Sequence, residues 1–208
     1  MANNSLFGKM ASDAMGLSDI GRIIPPTQFN KVDGDDYIMH EDGEEIYFVI
    51  KSKSDEYVFT NYGLLHVDGT NALSKRRTVV RYDFLEKRVS NVTLETAGTV
   101  DLDVEIKFTF GDTNFSIDVN KSDLEGLKDL YKTLIEISKQ QKLNDIYQAD
   151  SRQALELGCQ TLNRCSIPNL SADLLKELVN YNYSWLKQLR EINSNKDFGY
   201  VYEKYINN

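Results

Sequence analysis

The spacing of apolar residues changes from two to three-and-four along the chain, and the change divides it. Leu102, Val104, Ile106, Phe108 and Phe110 share one face of a run whose other face is Asp101, Asp103, Glu105, Lys107 and Thr109. This is the period of a strand buried on one side and wet on the other. The shorter run Val92–Glu95 precedes it, and Gly98 lies between them as a residue able to take the positive φ of a turn. A β-hairpin is predicted there, at the centre of an antiparallel sheet. Ile46–Ile50 is apolar almost throughout, which predicts a strand covered on both faces. Tyr57–Thr60, Leu64–Val67, Arg76–Tyr82 and Phe115–Val119 bring the predicted strands to seven, with turns at Lys51–Asp55, Asn61–Gly63, Asp68–Gly69 and Gly111–Asp112.

Beyond Asn120 the period becomes helical. Leu124, Leu127, Leu130 with Tyr131, Leu134 and Ile137 form one stripe. Ser122 and Glu125 have the spacing of a capping box at its start. A second helix is predicted over Ile146–Cys165, marked by Ile146, Tyr147, Leu155 and Leu162 and broken at Ser166–Asn169. Ser171 caps a third, with Leu170 stapling onto Leu175. Along it Leu175, Leu178, Asn182, Trp185, Leu189 and Ile192 recur at spacings of 3, 4, 3, 4 and 3. That is heptad spacing with one polar interruption. It fits a helix packed on its hairpin partner or on the sheet. It also fits an oligomerisation contact between copies of the chain, with Asn182 fixing register.

The division is therefore 1–43, an irregular lead-in with a weak helix at Ser5–Met15 and a short turn at Thr27–Val32; 44–140, the β domain; and 141–208, a helical hairpin extension. No element is assigned to the tail Asn195–Asn208. The fold class is α+β, mainly β.

The net charge of −8 is unevenly spread. Residues 1–140 carry 16 Lys and Arg against 24 Asp and Glu, and the remainder 8 against 8. An acidic first part argues against nucleic acid and against anionic membranes as partners. The two cysteines, Cys159 and Cys165, form no CxxC, and no apolar run is long enough to span a membrane. The expected setting is cytoplasmic.

Candidate chemistry is sparse. The acids Asp33, Asp35, Asp36, Glu41, Asp42, Glu44 and Glu45 read as a solvated lead-in and fail the spacing of a calcium loop. His40 and His66 have no ligand or catalytic partner at sequence spacing, and no phosphate loop, HExxH or nucleophile elbow is present. No catalytic residue, metal or cofactor is assigned. Asp101, Asp103 and Glu105, together with Glu95 and Thr96 at the hairpin, are the candidate functional surface, or else an ordinary solvated face. Lys75, Arg76, Arg77 and Arg81 are a candidate anion contact, or else a charged strand edge that discourages aberrant pairing.

Two blocks of residues carry a family resemblance. Val58-Phe59-Thr60-Asn61 followed by Leu64-Leu65-His66-Val67-Asp68 resembles the FTN…LxxVD signature of bacterial pleckstrin-homology-like (PH-like) domains of the YvbH type. Glu95-Thr96-Ala97-Gly98 followed by Asp101-Leu102-Asp103 and Glu105 resembles their ETAG…DLDxE block, and Lys75-Arg76-Arg77 their GKK. The resemblance spans roughly residues 30–140. It departs from the family at Tyr62, where a basic residue is usual, and at Tyr82–Glu86. It implies a seven-stranded antiparallel PH-like barrel capped by a C-terminal helix, with no established enzyme activity; the chain is not expected to be an enzyme. It implies assembly into a ring-like homo-oligomer, with the helical extension as the oligomerisation region. The partner expected is the chain itself, with a further protein partner open. Phosphoinositide binding is not implied, because Lys51–Glu56 sets two lysines beside two acids. The alternative function is an adaptor for a membrane surface or anionic ligand, built on Lys75–Arg81.

Overall fold

The computed structural model describes residues 19–69, 77–96, 103–164 and 171–206. The expected helix at Ser5–Met15, the turn at Gly98, the breaker at Ser166–Asn169 and the Leu170 staple lie outside them. Strands β1 (Arg22–Ile23), β2 (Ile46–Lys51), β3 (Asp55–Thr60), β4 (Gly63–Gly69) and β5 (Arg77–Asp83) make one antiparallel sheet in that order. Strands β6 (Val89–Glu95), β7 (Asp103–Phe110) and β8 (Thr113–Asn120) make a second.

The expectation of a closed seven-stranded barrel is corrected on two points: eight strands are described, and the two sheets do not close. The extra strand, β1, is two residues long and ends before Pro25, too short to show any period. It joins the sheets at one corner, where Gly21 N–H donates to Asp118 O at 2.8 Å and Asn120 N–H donates to Gly21 O at 2.9 Å. At the other corner β5 and β6 each end their own sheet. The chain there turns through Phe84, whose ring is buried. A bulge in β6 then holds Asn91 at a positive φ of 52° and bends the strand away.

The apolar run in β2 is explained by two cores. Phe48 and Ile50 enter the main one, between the sheets, with Phe59, Ile106 and Phe108. Val49 enters the other, on the outer face, with Val32, Ile38, Val58, Leu65 and Val67. Turns of 3-10 helix at Pro26–Lys31 and Asp33–Tyr37 cover that face. The acidic lead-in is thus not wholly solvated: Glu44 is buried, accepting from Thr60 Oγ1 (2.7 Å), from Met39 N–H (2.9 Å) and from Arg81 (2.6 Å).

Helix α1 runs unbroken from Leu124 to Arg164, 41 residues, or about 60 Å. The two helices expected on either side of Gln140 are therefore one, because Gln141–Asp145 contains no breaker and a shift in charge balance does not stop a helix. Its first half closes the main core with Leu127, Leu130, Leu134 and Ile137. The expected Ser122 box does not form: a 3-10 turn, Lys121–Asp123, leads into the helix, capped by Asn120, whose side chain accepts from Ser122 N–H at 3.0 Å. Ser122 lies in a 3-10 turn before the α-helix begins, and its hydroxyl turns to Asp123.

Helix α2 (Ala172–Asn193) runs back beside the second half of α1, capped as expected by Ser171, which accepts from Leu174 N–H at 3.1 Å. The unassigned tail forms helix α3 (Gly199–Tyr205) and re-enters the main core with Phe198, Val201 and Tyr202. Both legs of the hairpin are thereby fixed to the β body.

Candidate self-association surface

The hairpin's anchorage begins with residues whose role no periodicity announces. Gln141 is buried in α1; its Oε1 accepts from Val89 N–H (2.9 Å), and its Nε2 donates to Phe84 O (2.8 Å) and Lys87 O (3.0 Å). Arg88 pairs with Asp145 one turn further on. On the other leg, Asn61 gathers three segments. Its Oδ1 accepts from Glu45 N–H (2.9 Å), and its Nδ2 donates to Gly43 O (3.1 Å) and to Asp197 Oδ2 (3.2 Å). Its backbone carbonyl accepts from Phe198 N–H at 2.8 Å. Thr60 Oγ1 accepts from Tyr62 and Gly63 N–H, holding that turn. A Cβ at Gly63 would lie 2.1 Å from Tyr82 O, so only glycine fits. The FTN signature is a structural clasp between lead-in, body and tail.

Beyond these anchors the hairpin changes character. No described side chain from 142 to 192 is buried. Of the six heptad-spaced residues, Leu178, Asn182, Trp185 and Leu189 are half-buried on the side toward α1, while Leu175 and Ile192 are exposed, Ile192 at 71%. The seam read from the sequence is thus largely spent inside the hairpin. The apolar residues flanking it are not: Val179, Tyr181 and Tyr183 on α2, and Ile146, Tyr147 and Leu157 on α1, stand exposed. Ile146 and Tyr147 mark their helix in the sequence, but Val179, Tyr181 and Tyr183 fall outside the one narrow stripe that the spacing on α2 defines. The signal available was the breadth of the apolar arc on α2, too wide for one neighbouring helix to cover.

Two grooves run between the helices. Gln148, Arg152, Leu155, Leu186 and Arg190 border one of about 230 Å3. Ala154, Leu155, Gly158, Tyr181, Asn182 and Trp185 border another of about 330 Å3. At the base, a third recess of about 840 Å3 lies among Leu85, Asn144, Ile192 and Tyr200.

The other candidate residues lie on the body. Glu95 and Glu105 are direct cross-strand partners on the wet face of the second sheet. Lys107 Nζ bridges them at 2.8 and 3.0 Å, and Ser116 Oγ donates to Glu105. Asp103 begins β7 opposite Asn120, and Thr96 follows β6. Asp101, Lys75 and Arg76 lie outside the described residues. Arg81 is committed to Glu44 (2.6 Å) and Asp83 (3.0 Å), and Arg77 reaches Asp33 at 3.5 Å. Both histidines do meet a carboxylate, through the fold rather than through sequence spacing: His66 Nε2 is 2.9 Å from Asp55, and His40 Nε2 is 3.2 Å from Asp35. His66 is stacked flat on Tyr57 and edge-on to Phe115, as a packed ring is. Among the described residues no group of three or more His, Cys, Asp or Glu is placed to hold a metal, and no helix is long and apolar enough to cross a membrane.

Desolvation raises the Glu44 carboxyl, but the hydrogen bonds from Arg81, Met39 and Thr60 outweigh it and hold it below the ordinary glutamate value. Its ionised form therefore stabilises the fold above about pH 4.5 and that contribution is lost as pH falls through the lowered native value. Glu44→Gln is expected to lose about 2 kcal/mol at pH 7. Its thermal midpoint should also fall less steeply between pH 5 and 3 than that of the unmodified protein. Parallel midpoint–pH curves for the two proteins would remove Glu44 as the source.

A two-sheet body closed by one helix, with a helical arm anchored at both legs, defines a PH-like protein carrying a C-terminal extension. Residues 14–138 match the family described as Bacterial PH domain, and residues 150–208 match the YvbH-like oligomerisation region. The chain belongs to the bacterial PH domain family. It is 50% identical over 204 residues to the uncharacterized protein YvbH of Bacillus subtilis (strain 168), covering 98% of this chain and 100% of that one. The crystal structure of a PH-domain-containing bacterial protein from Exiguobacterium sibiricum 255-15 is similar at 43% identity with a TM-score of 0.84. That likeness covers 90% of this chain and 100% of that one.

Proposed function

We propose that this chain is a non-enzymatic scaffold that assembles with copies of itself in the cytoplasm, the hairpin supplying the contact and the PH-like body the displayed surface. The observation that carries the reading is the apolar surface of an arm in which no described side chain between 142 and 192 is buried. Val179, Tyr181, Tyr183 and Ile192 on α2 and Ile146, Tyr147 and Leu157 on α1 are all exposed on it. A pair of helices left that way is poorly stabilised alone, because helices draw most of their stability from packing an apolar face. The match to an oligomerisation region over residues 150–208 supports the same reading. The anion-adaptor alternative is not favoured, since Arg77 and Arg81 already face carboxylates.

Light scattering on the full chain and on the double variant Leu157→Glu/Ile192→Glu tests the proposal. Both residues are exposed, so the variant keeps its fold. It should run at single-chain mass where the unmodified protein runs as a multiple. Equal masses for the two would refute the role given to the arm.

A further inference from the structure

We infer that the groove between Arg152 and Arg190 is a binding site for a small phosphate monoester with an apolar body. The site is built within one chain, so it stands whether or not copies associate. The observation is a pair of arginines without a carboxylate. Arg22, Arg77, Arg81 and Arg88 pair with Asp123, Asp33, Glu44 and Asp145 respectively. Among the described residues Arg152 and Arg190 have no such partner, in a chain whose net charge is −8.

The fold brings the two together. Gln148 Nε2 donates to Asn193 O and Ser194 Oγ, both at 3.0 Å, and clamps the helices at the base of the arm. Arg152 lies four residues beyond Gln148 on α1, and Arg190 lies three before Asn193 on α2. Each is about one turn beyond the clamp, and both border the same groove of about 230 Å3. Two like charges on one groove repel, and the nearby acids do not relieve them. Glu156 borders the groove one turn past Arg152 but forms no ion pair; arginine before glutamate is the weaker order at that spacing. Glu191 lies 3.8 Å from Lys187.

The rest of the lining sets the chemistry of the ligand. Ser151 Oγ donates to Tyr147 O at 2.6 Å, and Gln148 Nε2 is spent on the clamp, which leaves the two guanidinium groups as the donors. A guanidinium stays charged at every working pH, and its fork meets phosphate oxygens two at a time. Two of them balance a dianion. A phosphate monoester carries about −1.5 to −2 at neutral pH, whereas a carboxylate carries a single charge. Leu155, Leu186 and Leu189 lie half-buried along the groove, a floor for an apolar group beside the phosphate. The volume is below the roughly 300–1,000 Å3 of pockets for drug-sized molecules, so the occupant is small.

The test is isothermal titration calorimetry of the full chain with phenyl phosphate in dilute buffer, where charges are little screened. A dissociation constant of about 0.1–1 mM is expected. Inorganic phosphate lacks the ring, and benzenesulfonate keeps the ring with a single charge; each should bind about tenfold more weakly. Arg152→Gln and Arg190→Gln should each weaken phenyl phosphate about tenfold or more. Both arginines are exposed, so the variants keep their helices, as circular dichroism reads. Arg164→Gln, which removes an exposed arginine that does not border the groove, should bind as the unmodified protein does. Pelleting with phosphatidate vesicles that is lost in the double variant would assign the phosphate to a lipid headgroup; calorimetric binding without pelleting assigns it to a soluble ester. No binding of phenyl phosphate, equal binding by the unmodified protein and the two groove variants, or an equal loss in Arg164→Gln overturns the site.

Discussion

Phe198→Ala unfolds the β body at markedly lower denaturant, by about 3–5 kcal/mol, although the residue follows the extension and lies more than a hundred positions from β3. Its ring is fully buried, edge-on to Phe84 at 5.2 Å, within the core built by both sheets and α1. Truncation leaves a cavity that the rigid clasp around Asn61 does not let the chain collapse into. Tyr202→Phe behaves oppositely. The Tyr202 hydroxyl is buried with no hydrogen-bond partner, so its removal should leave stability unchanged or raise it by up to about 1 kcal/mol. Urea unfolding followed by far-ultraviolet circular dichroism reads both. A Phe198→Ala midpoint equal to that of the unmodified protein would mean that the tail is an accessory rather than part of the core. The same geometry makes a truncation after residue 140 a test of folding, not of association, because it removes Gln141, Phe198 and Tyr202 together.

Excising residues 149–192 and joining the ends with a short Gly-Ser turn yields a folded single chain. The two cut ends are adjacent: Gln148 Nε2 donates to Asn193 O and to Ser194 Oγ, both at 3.0 Å. None of the described side chains removed is buried, so the loss of body stability should stay within about 1 kcal/mol. The effect on mass should be complete, since the excised arm carries the exposed apolar faces of α2 and of the second half of α1. Sedimentation velocity checks the mass, and circular dichroism checks that the β signal persists. An excised chain that still assembles to the original multiple would move the contact to the body.

Alternation made most of the sheet legible. Ile106, Phe108 and Phe110 are buried while Glu105, Lys107 and Thr109 are not, and the covered-both-faces reading of β2 is matched by its two cores. What escaped has physical reasons. β1 is too short for any period, and it sits where Gly21 lets two backbones approach. The bulge in β6, with Asn91 at a positive φ, is encoded by no pattern. The continuity of α1 is hidden in the sequence because the charge balance shifts near Gln140 although no helix breaker stands there. The clasp at Asn61 and the anchor at Gln141 are single polar residues whose partners lie 16 to 136 positions away. Sequence spacing sees a helix face, not what lies beyond it. It therefore picked out the seam of α2 that faces α1 and passed over Val179, Tyr181 and Tyr183 beside it.

The mass of the unmodified full chain in solution, followed by analytical ultracentrifugation over a dilution series, bears most directly on an arm that joins copies of the protein. A whole-number multiple of the chain mass, dissociating only at high dilution, is the predicted result. A single-chain mass at every concentration would contradict it.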